Sequence, residues 1–219
     1  MKLTLRQASQ YLTFCLALIM LGTLAWSIAA TTTAPAAEEA DMLDEQILRG
    51  RLLVITHGCG DCHGGFGNPA AEGWLVGQTV EEQIFSIGPF KTYPRNLTPD
   101  NKTGLGRFSE RQIFNALRYG LRPGETPDVE ITSMTPGEGN FPANPKYLAP
   151  PMPWPVYRHM DDQELWDIAA YLKHGLQPAT NQVPDSEGPP DFWASEYTPE
   201  KYGAYPPVAF PTARERKPE

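Results

Sequence analysis

The chain has 219 residues, with 18 Lys and Arg against 26 Asp and Glu and a formal charge of −8. That length suits one or two domains, and 41% hydrophobic residues excludes wholesale disorder. The acidic balance excludes a surface built to neutralise nucleic-acid phosphates, and three cysteines are too few for a disulfide-stapled scaffold.

Lys2 and Arg6 precede an uncharged run from Tyr11 to Ala30, followed by the small-residue stretch TTTAPAA. Such a run serves as the apolar core of a signal peptide, with Ser27-Ile28-Ala29 or Ala34-Pro35-Ala36 as the cleavage site. It is also long enough to cross a bilayer with its basic flank inside. Residues 1–36 are therefore read as a signal peptide or membrane anchor, and either reading places the rest of the chain on the periplasmic, extracytoplasmic side. Without those residues, 16 bases face 26 acids, a charge of −10, and Cys59 and Cys62 are the remaining cysteines.

From Asp41 to Thr56, Leu43, Ile47, Leu48, Leu52, Val54 and Ile55 recur at helical spacing, with acids near the start where the helix dipole favours them. A glycine-rich segment, THGCGDCHGGFGNPAAEG, follows. Ser109 with Gln112 three residues later predicts a capping box, Ile113, Phe114, Ala116 and Leu117 supply an apolar face, and Gly120 marks the stop. Asp161 with Glu164 opens a third helix, which carries Leu165, Trp166, Ile168, Ala169 and Leu172 and ends at Gly175. Residues 121–155 contain nine prolines, which forbid a long regular element. The tail from 176 holds nine more, together with Phe192, Trp193, Tyr197, Tyr202, Tyr205 and Phe210, and this aromatic content predicts docking onto something. No strand shows convincing alternation, so the prediction is all-α: three main helices joined by loops too long for a compact bundle. The divisions are a leader at 1–36, a domain at 37–175 and a Pro/aromatic-rich extension at 176–219.

The core that such loops need is announced by Cys59-Gly60-Asp61-Cys62-His63, the C-x-x-C-H pattern of covalent c-type haem attachment. Two thiols three residues apart share one side of a helical turn and can both add to the haem vinyl groups, while the adjacent imidazole binds iron. A redox dithiol would be expected in a βαβ context, which is not visible here. A structural zinc would have to crowd His57, Cys59, Cys62 and His63 into seven residues. One such motif predicts one haem c per chain.

Candidates for a sixth iron ligand are Met42, Met134, Met152, Met160, His57, His159 and His174. Met42 belongs to the first helix, His57 lies too near the attachment turn, and His174 reads as a solvated cation at a helix end. Met160 and His159 are accounted for by packing or capping. Met152 sits in Ala149-Pro150-Pro151-Met152-Pro153-Trp154-Pro155, whose prolines restrict the backbone around it. On this context alone it reads equally as ligand or gap filler.

The order of first helix, C-G-D-C-H, the segment NLTPDNKTGLGRFSERQIFNALRYG at 96–120, PPMPW at 150–154 and MDDQELWDIAAYL at 160–172 resembles the monohaem class I cytochrome c fold. More narrowly, it is similar to the cytochrome c domains of membrane-bound dehydrogenases such as alcohol dehydrogenase, over roughly residues 41–175. The resemblance implies Met152 as the second axial ligand opposite His63, with Cys59 and Cys62 holding the haem. It also implies a crossing of the first and last helices at a small residue, here Gly50 against Tyr171 and Leu172, and a backbone carbonyl in the loop 92–99, Pro94 first, accepting the other ring N–H of His63. Arg95 and Trp154 are candidates for the haem propionates, Arg95 equally for a solvated surface role.

The implied activity is carriage of single electrons between redox partners outside the cytoplasmic membrane. The chain would not be an enzyme itself but a subunit of a membrane-bound dehydrogenase, respiratory or photosynthetic complex, held to the membrane by its N-terminal segment. The rival expectation is a haem enzyme or gas sensor with an open sixth position. The insertion at 121–148 and the tail after 176 have no counterpart in the resemblance.

Overall fold

A computed structural model describes residues 36–79, 84–189, 193–203, 205 and 211–217. The uncharged run at 11–30, Phe192 and Phe210 lie outside the described residues, and among the described residues no helix is long and apolar enough to cross a membrane. The chain divides into two units, 1–45 and 46–219. In the first, residues 36–45 are helical and Met42 is exposed.

The second unit opens with helix α1 at residues 46–56. It buries a narrow stripe, Gly50 and Val54, with Ile47 packed beside it. Leu48 and Leu52, which the periodicity assigns to the apolar face, are 67% and 61% exposed. The closest contact is made through one glycine, and Leu53 and Ile55 pack on the core beside that line while Leu48 and Leu52 face away.

Helix α2 is the single turn Cys59–His63. Helix α3, Glu110–Tyr119, is capped by the predicted reciprocal pair: Ser109 Oγ accepts from the Gln112 N–H, and Gln112 returns the bond to the Ser109 N–H, both at 3.1 Å. It stops at Gly120, whose φ of 70° few other residues adopt readily. Helix α4 is the short Trp154–Tyr157. Helix α5, Asp162–His174, carries the same box between Asp161 and Glu164. Helix α6 is Pro199–Tyr202.

The sequence reading finds no strand, but the structure has a small hairpin. Strand β1, Phe85–Ile87, pairs antiparallel with β2, Phe90–Thr92, in register Phe85–Thr92, Ser86–Lys91 and Ile87–Phe90. Three residues per strand are too few for alternation to be seen against chance.

The main core gathers Val54, Trp74, Leu75, Leu105, Ile113, Phe114, Leu117, Leu165, Ile168, Tyr171 and Leu172. Full burial of each aliphatic member stabilises the fold by about 1.5–3 kcal/mol. The proline-rich insertion has a second, smaller core of Leu121, Ile131 and Phe141, with Tyr119 and Tyr147 against it. Tyr119 Oη also donates to the Ile131 carbonyl at 2.9 Å. The insertion is thus an ordered loop rather than a disordered one.

Candidate haem site

The turn Cys59–His63 is fixed to the helical core through its glycine. A Cβ on Gly60 would lie 2.2 Å from the Trp74 ring, so this position admits only the residue without one. Trp74 Nε1 in turn donates to Tyr171 Oη at 3.0 Å, which ties the turn to α5. On the other flank, Tyr157 Oη donates to the His57 carbonyl at 3.0 Å and joins α4 to the residues leading into the turn.

This turn opens on a cavity of about 880 Å³, a size within the roughly 300–1,000 Å³ range of cofactor sites. Cys59, Cys62, His63 and Met152 all line it. Its apolar wall comes from Ile113 and Leu117 of α3 and Ile168 and Leu172 of α5, two pairs at the four-residue spacing that presents one helix face. Met152 is held by a run of turn bonds, its N–H donating to the Ala149 carbonyl and its own carbonyl accepting from the Trp154 N–H, both at 2.9 Å.

His63 Nδ1 lies 2.7 Å from the Arg95 carbonyl oxygen. A carbonyl only accepts, so Nδ1 carries the proton and Nε2 is the nitrogen with a lone pair free for a metal. Burial lowers the imidazole pKa, and the bond to Arg95 opposes that shift. The expected acceptor, Pro94, is one residue off: its carbonyl instead accepts from the Gln78 N–H at 3.0 Å. Adjacent carbonyls along extended backbone point in opposite directions, so a slip of one residue exchanges their roles.

Burial pushes the Cys59 thiol up to about 12, with smaller upward contributions from Cys62 and Asp61, and raises Cys62 likewise. Redox-active dithiols have their thiolate stabilised instead, so this environment does not suit disulfide exchange. Among the described residues no three His, Cys, Asp or Glu side chains converge as a metal cluster, so the zinc reading lacks its ligand set.

Of the other candidates, His57 also lines the cavity, with its Nδ1 2.9 Å from the Leu53 carbonyl oxygen, while His174, Met160 and His159 are engaged elsewhere. His174 Nε2 lies 2.6 Å from Glu110 Oε1 on the surface. Met160 packs against the main core, and its carbonyl accepts from Arg118 at 2.8 Å. His159 Nε2 accepts from Arg158 Nε at 3.4 Å, and its ring meets Tyr205 edge-on. Trp154 is 2% exposed and stacked on Tyr147, and its Nε1 is a buried donor with no partner among the described residues. Arg95 does line the cavity, as do Arg107 and Arg122, which composition alone does not single out. Guanidinium groups beside the apolar helix faces, in a lining that also holds Asp61, Glu125 and Asp185, suit a flat apolar cofactor with an anionic edge.

A C-x-x-C-H turn, an oriented histidine and a helix-lined apolar cavity together define a c-type haem protein. The chain belongs to the cytochrome c family, whose model matches residues 47–175, and membership implies covalently bound haem c. The chain is 29% identical over 172 residues to the gluconate 2-dehydrogenase cytochrome c subunit of Pantoea cypripedii, covering 78% of this chain and 31% of that protein. It is 27% identical over 157 residues to the cytochrome c subunit of the quinone alcohol dehydrogenase of Gluconobacter oxydans, covering 70% and 27%. It is 25% identical over 148 residues to the fructose dehydrogenase cytochrome subunit of Gluconobacter japonicus, covering 67% and 24%. The chain spans a third or less of the length of these relatives.

Proposed function

We propose that this chain is a monohaem electron carrier serving a membrane-bound dehydrogenase on the extracytoplasmic side of the membrane. The observation that carries the reading is that one cavity takes both motif cysteines, the oriented His63 and Met152 together. In this reading Cys59 and Cys62 would hold the haem through their sulfurs, and His63 Nε2 and Met152 Sδ would bind its iron. Haem c so bound supplies a one-electron couple at its iron.

The residues do the rest. A histidine and a thioether leave no protein-side vacancy for a substrate, which fits carriage rather than catalysis. The methionine and the apolar wall both favour the less charged, reduced form and raise the potential. Helix faces around Ile113 and Ile168 keep water from the ring. Arg107 and Arg122, which also line the cavity, would offset the anionic edge.

The relatives' names support a dehydrogenase as partner, and the run at 11–30 supports attachment to the membrane. The acidic balance suits a basic docking face on that partner, not nucleic acid. The test is purification of the full chain from membranes in mild detergent. The red protein is expected to bring a dehydrogenase subunit with it and to become reduced when that enzyme's substrate is added. A red protein that purifies alone and stays oxidised with every dehydrogenase substrate supplied contradicts the reading.

A further inference from the structure

The extension after α5 does not simply cover the domain. Its residues 179–187 run along the loop that carries the His63 acceptor and bond to it on both sides of Arg95. Before Arg95, the Lys91 and Glu187 backbones exchange two hydrogen bonds of 2.9 Å, and Thr92 Oγ1 lies 2.8 Å from Ser186 Oγ. After it, Asn96 Nδ2 donates to the Ala179 carbonyl at 2.7 Å and Thr180 Oγ1 donates to Asp100 Oδ1 at 2.9 Å. At Arg95 itself, the guanidinium donates to the Pro184 carbonyl at 2.8 Å and to Ser186 Oγ at 2.9 Å.

Arg95 therefore has two ends with different tasks. Its carbonyl accepts from His63 Nδ1, and its side chain is gripped by a segment some ninety positions further along the chain. The loop around Arg95 has no regular secondary structure to hold that carbonyl in place. Its neighbouring backbone anchors, Gln78 N–H to Pro94 and Leu97 N–H to Leu75, fix the flanks, and the Arg95–Asn96 peptide packs on Gly77. The strap adds the side-chain restraint at Arg95 itself. Groups that orient a metal-binding histidine govern its tautomer and basicity without touching the metal.

We propose that Arg95 is a positioning residue for the axial histidine and that residues 179–187 are the strap that holds it; this rests on the reading of His63 as an iron ligand. The extension is thus part of the haem site and not an appendage.

The test is proton NMR of the reduced, haem-loaded full chain, following exchange of the His63 Nδ1–H with solvent, together with the midpoint potential. Arg95→Gln and the double variant Thr92→Ala/Ser186→Ala are each compared with Lys201→Ala, which loses a surface contact to Glu196 away from the strap. Loss of two net hydrogen bonds at the clamp predicts exchange faster by about tenfold or more. Both clamp variants should also shift the potential, and Lys201→Ala should do neither. Unchanged exchange and potential in the clamp variants overturn the strap, and the double variant decides alone if Arg95→Gln does not fold. A wild-type spectrum with no histidine ring signal from an iron ligand overturns the His63 reading itself, an outcome distinct from failure of the strap.

Discussion

Gly50 meets Tyr171 where α1 crosses α5: a Cβ on Gly50 would sit 2.9 Å from the Tyr171 Cβ and 1.8 Å from the Asp167 carbonyl oxygen. The neighbouring Arg49 closes the same crossing, its Nε 2.7 Å from a carboxylate oxygen of the buried Asp167. Backbone cannot yield to a methyl group at that range without the helices moving apart. Gly50→Ala is expected to destabilise the fold by about 1–3 kcal/mol or more, and Gly50→Val by more again. Thermal unfolding followed by circular dichroism checks this, and an alanine variant as stable as the parent contradicts the crossing.

The two capping boxes give a second expectation. Ser109→Ala and Asp161→Ala each remove a side-chain acceptor for an N3 amide, at a cost of about 0.5–2 kcal/mol. Urea denaturation should show the midpoint falling with the slope unchanged. A variant that matches the parent would mean that water replaces the cap without loss.

The two partly buried methionines near the site separate ligand from packing. Both touch the main core, but Met152 lines the cavity and Met160 does not. Met152→Ala is expected to lower the midpoint potential and to let the reduced protein bind carbon monoxide. Met160→Ala should do neither and should cost only stability, about 2–5 kcal/mol if its site does not collapse. Equal redox effects from the two would remove Met152 from the iron.

Alkaline pH tests the docking of the second half of the extension. Burial, with smaller contributions from Tyr202 and Tyr147, pushes the Tyr197 phenol up to about 12, while the neighbouring Trp154 indole opposes the shift. Unfolded tyrosine titrates near 10, so above that pH the unfolded chain releases a proton that the folded chain retains. The stabilisation is therefore fully present below about pH 10 and is lost as pH rises through about 12. Tyr197→Phe should flatten this alkaline limb of a stability profile; an unchanged limb would mean that other groups produce it.

How much of this was legible in the sequence follows from the range of the interactions. Ser109, Gln112, Asp161 and Glu164 announce their helices because a cap is local: acceptor and donor are three residues apart. The C-G-D-C-H turn is legible for the same reason. Tail docking was foreshadowed by Trp193, Tyr197 and Tyr202, and the structure places Tyr197 against Trp154, Tyr147 and Tyr202. The strap was not foreshadowed, because Arg95 to Ser186 and Asn96 to Ala179 join polar residues with no pattern in common over more than eighty positions. The choice of Pro94 over Arg95 missed by one peptide, which side-chain identity cannot resolve when the acceptor is backbone. Leu48 and Leu52 show the limit of periodicity: it marks a helix but not how wide a stripe its neighbour covers.

The central claim is that protein groups close both axial positions of a covalently held haem, so that the chain passes electrons and binds no substrate. Rapid mixing of the reduced, haem-loaded full chain with carbon monoxide tests it most directly. The account predicts no spectral change on the timescale of mixing, because Met152 would hold the position on the iron that carbon monoxide needs. Prompt formation of a carbonyl complex in the unmodified protein would contradict it and place the chain among haem enzymes or gas sensors.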